Sequence, residues 1–134
     1  MVPDRTGMQT QKMQERRQFI RLPVRLNTRY TIVTTGERAG SLTKDTSGDG
    51  IGLFTEALIN PGTVLNIEVK FPDRQQPVTF TGQVIWSGKL IHDNPSKTTH
   101  KFEAGLRFLK ISPEDQQYVL RFSMLNAPSV SPSP

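Results

Sequence analysis

The sequence predicts an all-β fold with one C-terminal helix: a six-stranded antiparallel barrel preceded by a flexible N-terminal arm. Three observations carry that expectation. Apolar and polar residues alternate along most of a series of short runs, the period of a strand with one face buried. Turn residues separate the runs at fairly regular spacing, at Gly36-Glu37, Asn60-Pro61-Gly62 and Pro72 to Pro77. A helix start and a helical apolar stripe occur together only near the C-terminus. Strands that close on one another leave no exposed edge, so a barrel accounts for the runs better than an open sheet does.

Residues 1–14 are polar, contain Pro3 and Gly7, and read as a flexible arm. Pro23 biases Leu22 to extended geometry and stops any helix before it. From there Val24, Leu26, Thr28, Tyr30 and Ile32 share one face of a first strand. Gly36-Glu37 turns the chain into a weaker second strand over Arg38–Lys44, and Asp45–Gly50 reads as a loop before a third strand, Ile51–Thr55. Leu65, Ile67, Val69 and Phe71 give the clearest alternation of all. Val78, Phe80, Val84 and Trp86 are expected on one buried face of the fifth strand, with Gly82 marking a bulge or a close backbone approach. A polar loop over Lys89–His100 leads to the last strand, whose inward residues are Phe102, Ala104, Leu106 and Phe108. Ser112-Pro113-Glu114-Asp115 supplies an N-cap, a proline at the first helical position and acids in the first turn. Tyr118, Val119, Phe122 and Leu125 form the stripe of that helix. The Ser/Pro tail, 126–134, has nothing to bury and reads as disordered.

With 134 residues the chain has room for one domain and one core. No run approaches the ~20 apolar residues of a membrane span, and no apolar leader opens the chain. A cytoplasmic protein without membrane insertion is therefore expected. Zero cysteines exclude disulfides and thiolate metal sites. The net charge of +5 is concentrated: residues 1–30 hold seven basic side chains against two acidic ones, and the remaining chain is balanced. Such an end asks for one anionic partner there, not a diffusely basic surface.

Two segments answer that charge. The first is Glu15-Arg16-Arg17-Gln18-Phe19-Ile20-Arg21, in which Arg17 and Arg21 are spaced R-x-x-x-R with Arg16 directly before them. The second is Asp45-Thr46-Ser47-Gly48-Asp49-Gly50, in the spacing D-x-S-x-x-G. Arginine presents a planar fork of donors that fits a phosphate or the O6/N7 edge of guanine. Aspartate and serine can take the remaining polar edge of a base, and Gly50 lets backbone come close. Three cations, a carboxylate and a hydroxyl suit a guanine nucleotide.

Taken together, the two motifs resemble the PilZ domain, a bacterial receptor for cyclic di-GMP. The likeness runs from about Glu15 to Leu125 and includes Gln83-Val84-Ile85-Trp86, Ala104-Gly105-Leu106-Arg107-Phe108 and Ile111-Ser112-Pro113. It implies the same six-stranded barrel with a C-terminal helix, over residues 15–125. It also implies that Arg17 and Arg21 grip guanine edges and phosphates, that Asp45 and Ser47 bond guanine, and that Gly50 admits the base. Thr46 and Asp49 depart from the family, where an apolar residue and a glycine are common. Arg16 adds a cation in reach of a second nucleotide, so two cyclic di-GMP molecules per chain are expected. The implied mechanism is ordering: the arm is mobile while like charges at Arg16, Arg17 and Arg21 repel with no counter-charge to hold them. The anionic ligand then clamps it for a downstream effector protein to read.

Other chemistries fit less well. Asp45, Ser47, Asp49, Gly50 and Glu56 follow the ligand order of a calcium loop, but that motif needs a helix on each side. Gly48-Asp49-Gly50-Ile51-Gly52 lacks dinucleotide spacing, and neither His92 nor His100 has a partner for catalysis, so no enzyme is expected. Single-stranded nucleic acid would need stacking aromatics, and Phe19, Tyr30 and Trp86 are each explicable as core. The remaining alternative is a PilZ-fold adaptor that works through protein contacts without the nucleotide.

Overall fold

The computed structural model describes residues 19–90 and 101–126. The expected arm over 1–14, Arg16, Arg17 and the tail after Asn126 lie outside them. Seven strands and one helix follow in order: β1 (Leu22–Pro23), β2 (Asn27–Ile32), β3 (Arg38–Thr46), β4 (Gly50–Thr55), β5 (Val64–Val69), β6 (Val78–Lys89), β7 (Phe102–Lys110) and α1 (Pro113–Asn126). All pairings are antiparallel, in the order β1-β3-β2-β5-β6-β7-β4, and an additional β3–β4 pairing closes β2 to β7 into a six-stranded barrel. The two-residue β1 lies beside β3, with Leu22 opposite Thr46 and Pro23 opposite Asp45.

The alternation read from sequence places the core. Tyr30, Leu65, Ile67, Val69, Val78, Phe80, Val84, Ala104 and Leu106 all point inward and are buried. Gly36 turns the β2–β3 hairpin at φ 80°, in the left-handed region that glycine enters without steric cost. Burial raises the Tyr30 phenol pKa, and the Glu56 and Glu37 carboxylates add to the effect.

α1 covers one end of the barrel. Ser112 Oγ accepts from Asp115 N–H at 3.1 Å, the expected N-cap. Val119 and Phe122 are buried, and Phe122 meets Phe71 edge to face at 4.8 Å. Ser123 donates to Val119 O at 2.8 Å, so the 2.9 Å bond to Thr46 Oγ1 has threonine as donor. That buried pair ties the helix to the end of β3. Tyr118 donates to Asp73; burial first, and this carboxylate second, push the phenol well above its usual pKa.

Three sequence expectations need correction. Trp86 does not share the inward face with Val84. The β6–β7 register shifts between Val84 and Trp86, and the extra residue, Ile85, reverses the parity, leaving Trp86 outside and 43% exposed. Leu125 is 77% exposed, because the buried face of α1 runs through Val119, Phe122 and Ser123 instead. Asp45–Gly50 is not one loop: Asp45 and Thr46 end β3, and Gly50 begins β4.

Candidate functional site

Only Ser47, Gly48 and Asp49 connect β3 to β4, and the turn is closed by its own side chains. Ser47 is fully buried; its N–H donates to Gly50 O at 3.0 Å, and its Oγ accepts from Asp49 N–H at 3.3 Å. The Ser47 hydroxyl donates to the Asp49 carboxylate. Gln116 of α1 donates to Gly48 O at 3.0 Å, so the helix braces the turn from behind. A Cβ on Gly48 would meet Phe19 Cδ1 at 2.6 Å and Leu120 Cδ1 at 2.7 Å, so this position takes no side chain without repacking both.

Arg21 reaches this turn because β1 pairs with the end of β3. Its Nη2 lies 3.2 Å from Asp45 Oδ1, and its Nη1 donates to Ser47 Oγ at 3.2 Å and to Asp49 Oδ1 at 3.4 Å. The barrel thus brings together three of the residues the sequence singled out, Arg21, Asp45 and Ser47, with Gly50 beginning the adjoining strand. The absence of a counter-charge, expected for all three arginines, does not hold at Arg21: both Asp45 and Asp49 pair with it. Its side chain is 46% exposed, so these pairs are solvated and replaceable.

Beside the arginine, glycines recur along the outer face of the barrel. Pro23, Asp45, Gly52, Gly105 and Trp86 are successive cross-strand partners, one row over β1, β3, β4, β7 and β6. The next row pairs Gly50 with Arg107, and Arg107 with Gln83. Each glycine here has a neighbour in the way of a side chain. A Cβ on Gly50 would lie 2.0 Å from Leu106 O, one on Gly52 2.8 Å from Asp45 Oδ1, and one on Gly105 2.1 Å from Trp86 Nε1. The Trp86 indole therefore lies against Gly105 as a flat wall element, with Lys44 Nζ 5.5 Å from its centroid and paired to Glu103 at 2.6 Å. Sequence reading missed Gly52, Gly105, Trp86 and Arg107 as site residues. The signal was there for two of them: if Ala104, Leu106 and Phe108 point inward, Gly105 and Arg107 must point outward.

Strands, not helices, flank this turn, which removes the context a calcium loop requires. A small barrel with an arginine gathered onto D-x-S-x-x-G is the arrangement that the sequence resemblance implied, and the PilZ domain model matches residues 15–125.

The chain belongs to the PilZ domain family.

Solved structures agree on the fold. This PilZ domain is similar to the inhibitor of motility MotI/DgrA of Bacillus subtilis (TM-score 0.63, 19% identity, 81% of this chain and 49% of that one). It is similar also to the PilZ domain of YcgR from Escherichia coli, solved with c-di-GMP (TM-score 0.60, 20% identity, 80% of this chain and 86% of that one). A third is MrkH, described as a c-di-GMP-dependent transcription regulatory factor (TM-score 0.63, 18% identity, 80% of this chain and 50% of that one). The chain spans about half the length of MotI/DgrA and of MrkH. No curated protein matches it in sequence. Among the described residues, no helix is long and apolar enough to cross a membrane.

Proposed function

We propose that this PilZ domain is a cytoplasmic receptor for cyclic di-GMP, a binding switch and not a catalyst. The observation that carries the reading is the Arg21 guanidinium resting on Asp45 and Ser47 at the edge of a glycine-floored wall. Arg21 and Arg17 grip guanine edges and phosphates of the ligand. Asp45 accepts from the guanine N–H edge, Ser47 fixes the turn, and Gly50 and Gly52 let the base approach backbone. The outward face of Trp86 offers it a flat apolar surface.

In the free protein Asp49 stands where a ligand anion is needed. It holds Arg21 and takes the Ser47 hydrogen, so the ligand enters by replacing a carboxylate on the guanidinium. Ligand phosphates then draw Arg16 and Arg17 onto the same wall, and the ordered segment is the surface an effector protein reads. A self-paired ligand dimer carries four negative charges instead of two. Arg16 is the cation for the second molecule, giving two cyclic di-GMP per chain.

Calorimetric titration at protein concentrations well above Kd tests this, with cyclic di-AMP, GTP and calcium alongside. Saturation at two equivalents of cyclic di-GMP is expected, falling towards one in Arg16→Leu, with cyclic di-AMP binding far more weakly. An endpoint at one equivalent for the unmodified protein removes the role given to Arg16. No heat with cyclic di-GMP leaves a PilZ-fold adaptor in which Asp49 permanently occupies Arg21.

A further inference from the structure

Neither sequence motif includes the cation that the barrel pairs with the end of the turn. Arg107 of β7 is the cross-strand partner of Gly50, and the next residue, Phe108, donates its N–H to Asp49 O at 3.0 Å. Its side chain points outward and is exposed.

Its surroundings differ from those of the other arginine at the site. Arg21 is paired with two carboxylates, whereas Arg107 Nη2 donates at 2.9 Å to a neutral amide, Gln83 Oε1. Gln83 is held in turn by donating from Nε2 to Gly62 O at 3.4 Å, which fixes which end of the amide faces the arginine. Among the described residues no carboxylate lies within ion-pair distance of Arg107, while Lys44 and Arg74 each have one. A guanidinium has five N–H donors, and the bond to Gln83 uses one. Arg107 is therefore oriented without being neutralised, and an oriented, uncancelled charge beside a ligand wall attracts an anion. Gly50, the cross-strand partner of Arg107, carries no side chain, and its close approach to the β7 backbone brings the turn next to Arg107.

We propose that Arg107 is a phosphate-binding residue of the nucleotide site, so that a bound cyclic dinucleotide reaches from the Ser47–Gly50 turn across Gly50 onto β7. This rests on the receptor reading above. Gln83 acts as a positioning residue that aims the guanidinium. Phosphate, not a base edge, is the assigned partner, because one side of the planar fork is already committed to Gln83.

The test is titration of the full chain with cyclic di-GMP at low and high salt, for the unmodified protein, Arg107→Gln and Arg107→Lys, with thermal melting of each. Arg107→Gln should bind about tenfold more weakly, the loss expected for one charge-assisted hydrogen bond. Its affinity should also fall less with salt, since an exposed charge pair is what salt screens. Arg107→Lys should stay within about threefold of the unmodified protein, because a phosphate accepts from a point charge whereas a base edge needs the fork. All three proteins should melt together, as expected for a surface substitution. If Arg107→Gln binds within twofold with the same salt dependence, Arg107 has no part in the site. A Lys variant as weak as the Gln variant would move the contact from phosphate to base. If the unmodified protein does not bind at all, the receptor reading itself falls, a result distinct from either.

Discussion

Two outer walls of one barrel carry opposite surfaces. The wall over β3, β4 and β7 presents Asp45, Gly50, Gly52 and Gly105, with Arg21 and Trp86 at its margins. The opposite wall over β2, β5 and β6 presents Arg29, Thr31, Asn66, Glu68, Thr79 and Thr81, a side chain at every outward position. A surface depression of about 1070 Å³ lies on this second wall. Its size does not make it the better nucleotide site. Arg29 stands directly opposite Glu68 there, an acid on the adjoining strand. On the first wall the glycines are buried under neighbouring groups, Gly52 beneath Asp45 and Gly105 beneath Trp86, and Arg107 has no acid opposite it. The first wall is set apart by glycines next to a retained charge.

Glycine-to-alanine substitutions break the comparison most sharply. In Gly50→Ala the new Cβ meets the Leu106 carbonyl at 2.0 Å, a backbone atom that moves only if β4 and β7 separate. A cost of about 1–3 kcal/mol or more is expected, visible as a Tm lowered by several degrees. Gly40→Ala, at the far end of β3, meets nothing within 4 Å. It should leave Tm unchanged or raise it, by up to about 1 kcal/mol of stability through restriction of the unfolded chain. Equal losses in the two variants would mean that the first wall is not under steric constraint.

Arg21→Ala comes next in size. Loss of its charge-assisted bonds should weaken cyclic di-GMP binding at least ~10-fold, while its solvated ion pairs cost stability no more than ~1 kcal/mol. Arg29→Ala on the opposite wall should leave the affinity alone; calorimetry and melting of both variants read the contrast. A Gly52→Ala chain sharpens the point. Its Cβ would sit 2.8 Å from Asp45 Oδ1, the end of a side chain that can swing away. Affinity should therefore drop several-fold with little change in Tm. The smallest effect is expected for Asp49→Asn, which removes one of the two carboxylates on Arg21. Affinity should rise a few-fold, and a weaker Asn variant would show that Asp49 helps the ligand instead of competing with it.

Most of the barrel was legible because local alternation sets which side chains point inward. Leu65, Ile67, Val69 and Phe71 needed no partner strand to be read, and Ser112-Pro113 announced the helix by its own capping chemistry. Trp86 was misread because its orientation depends on the Ile85 bulge, which exists only in the pairing of β6 with β7. Leu125 failed for a similar reason: the side of α1 that faces the barrel is set partly by the Thr46–Ser123 bond, which links residues 77 apart. The residues of the site were legible as motifs, yet their electrostatics were not. Asp45 and Asp49 neutralise Arg21 only because Pro23 pairs with Asp45, a register no local pattern encodes. Gly52 and Gly105 were overlooked because a glycine floor shows in the sequence only as the absence of side chains.

Amide chemical-shift mapping of the full chain during titration with cyclic di-GMP tests the central claim most directly, since it reports both walls at once. Saturable shifts are expected at Arg21, Ser47, Gly50, Gly52, Gly105 and Arg107, with Arg29, Gly40, Asn66 and Thr81 left in place. Shifts concentrated on that second group, or none at two equivalents of ligand, would contradict that claim.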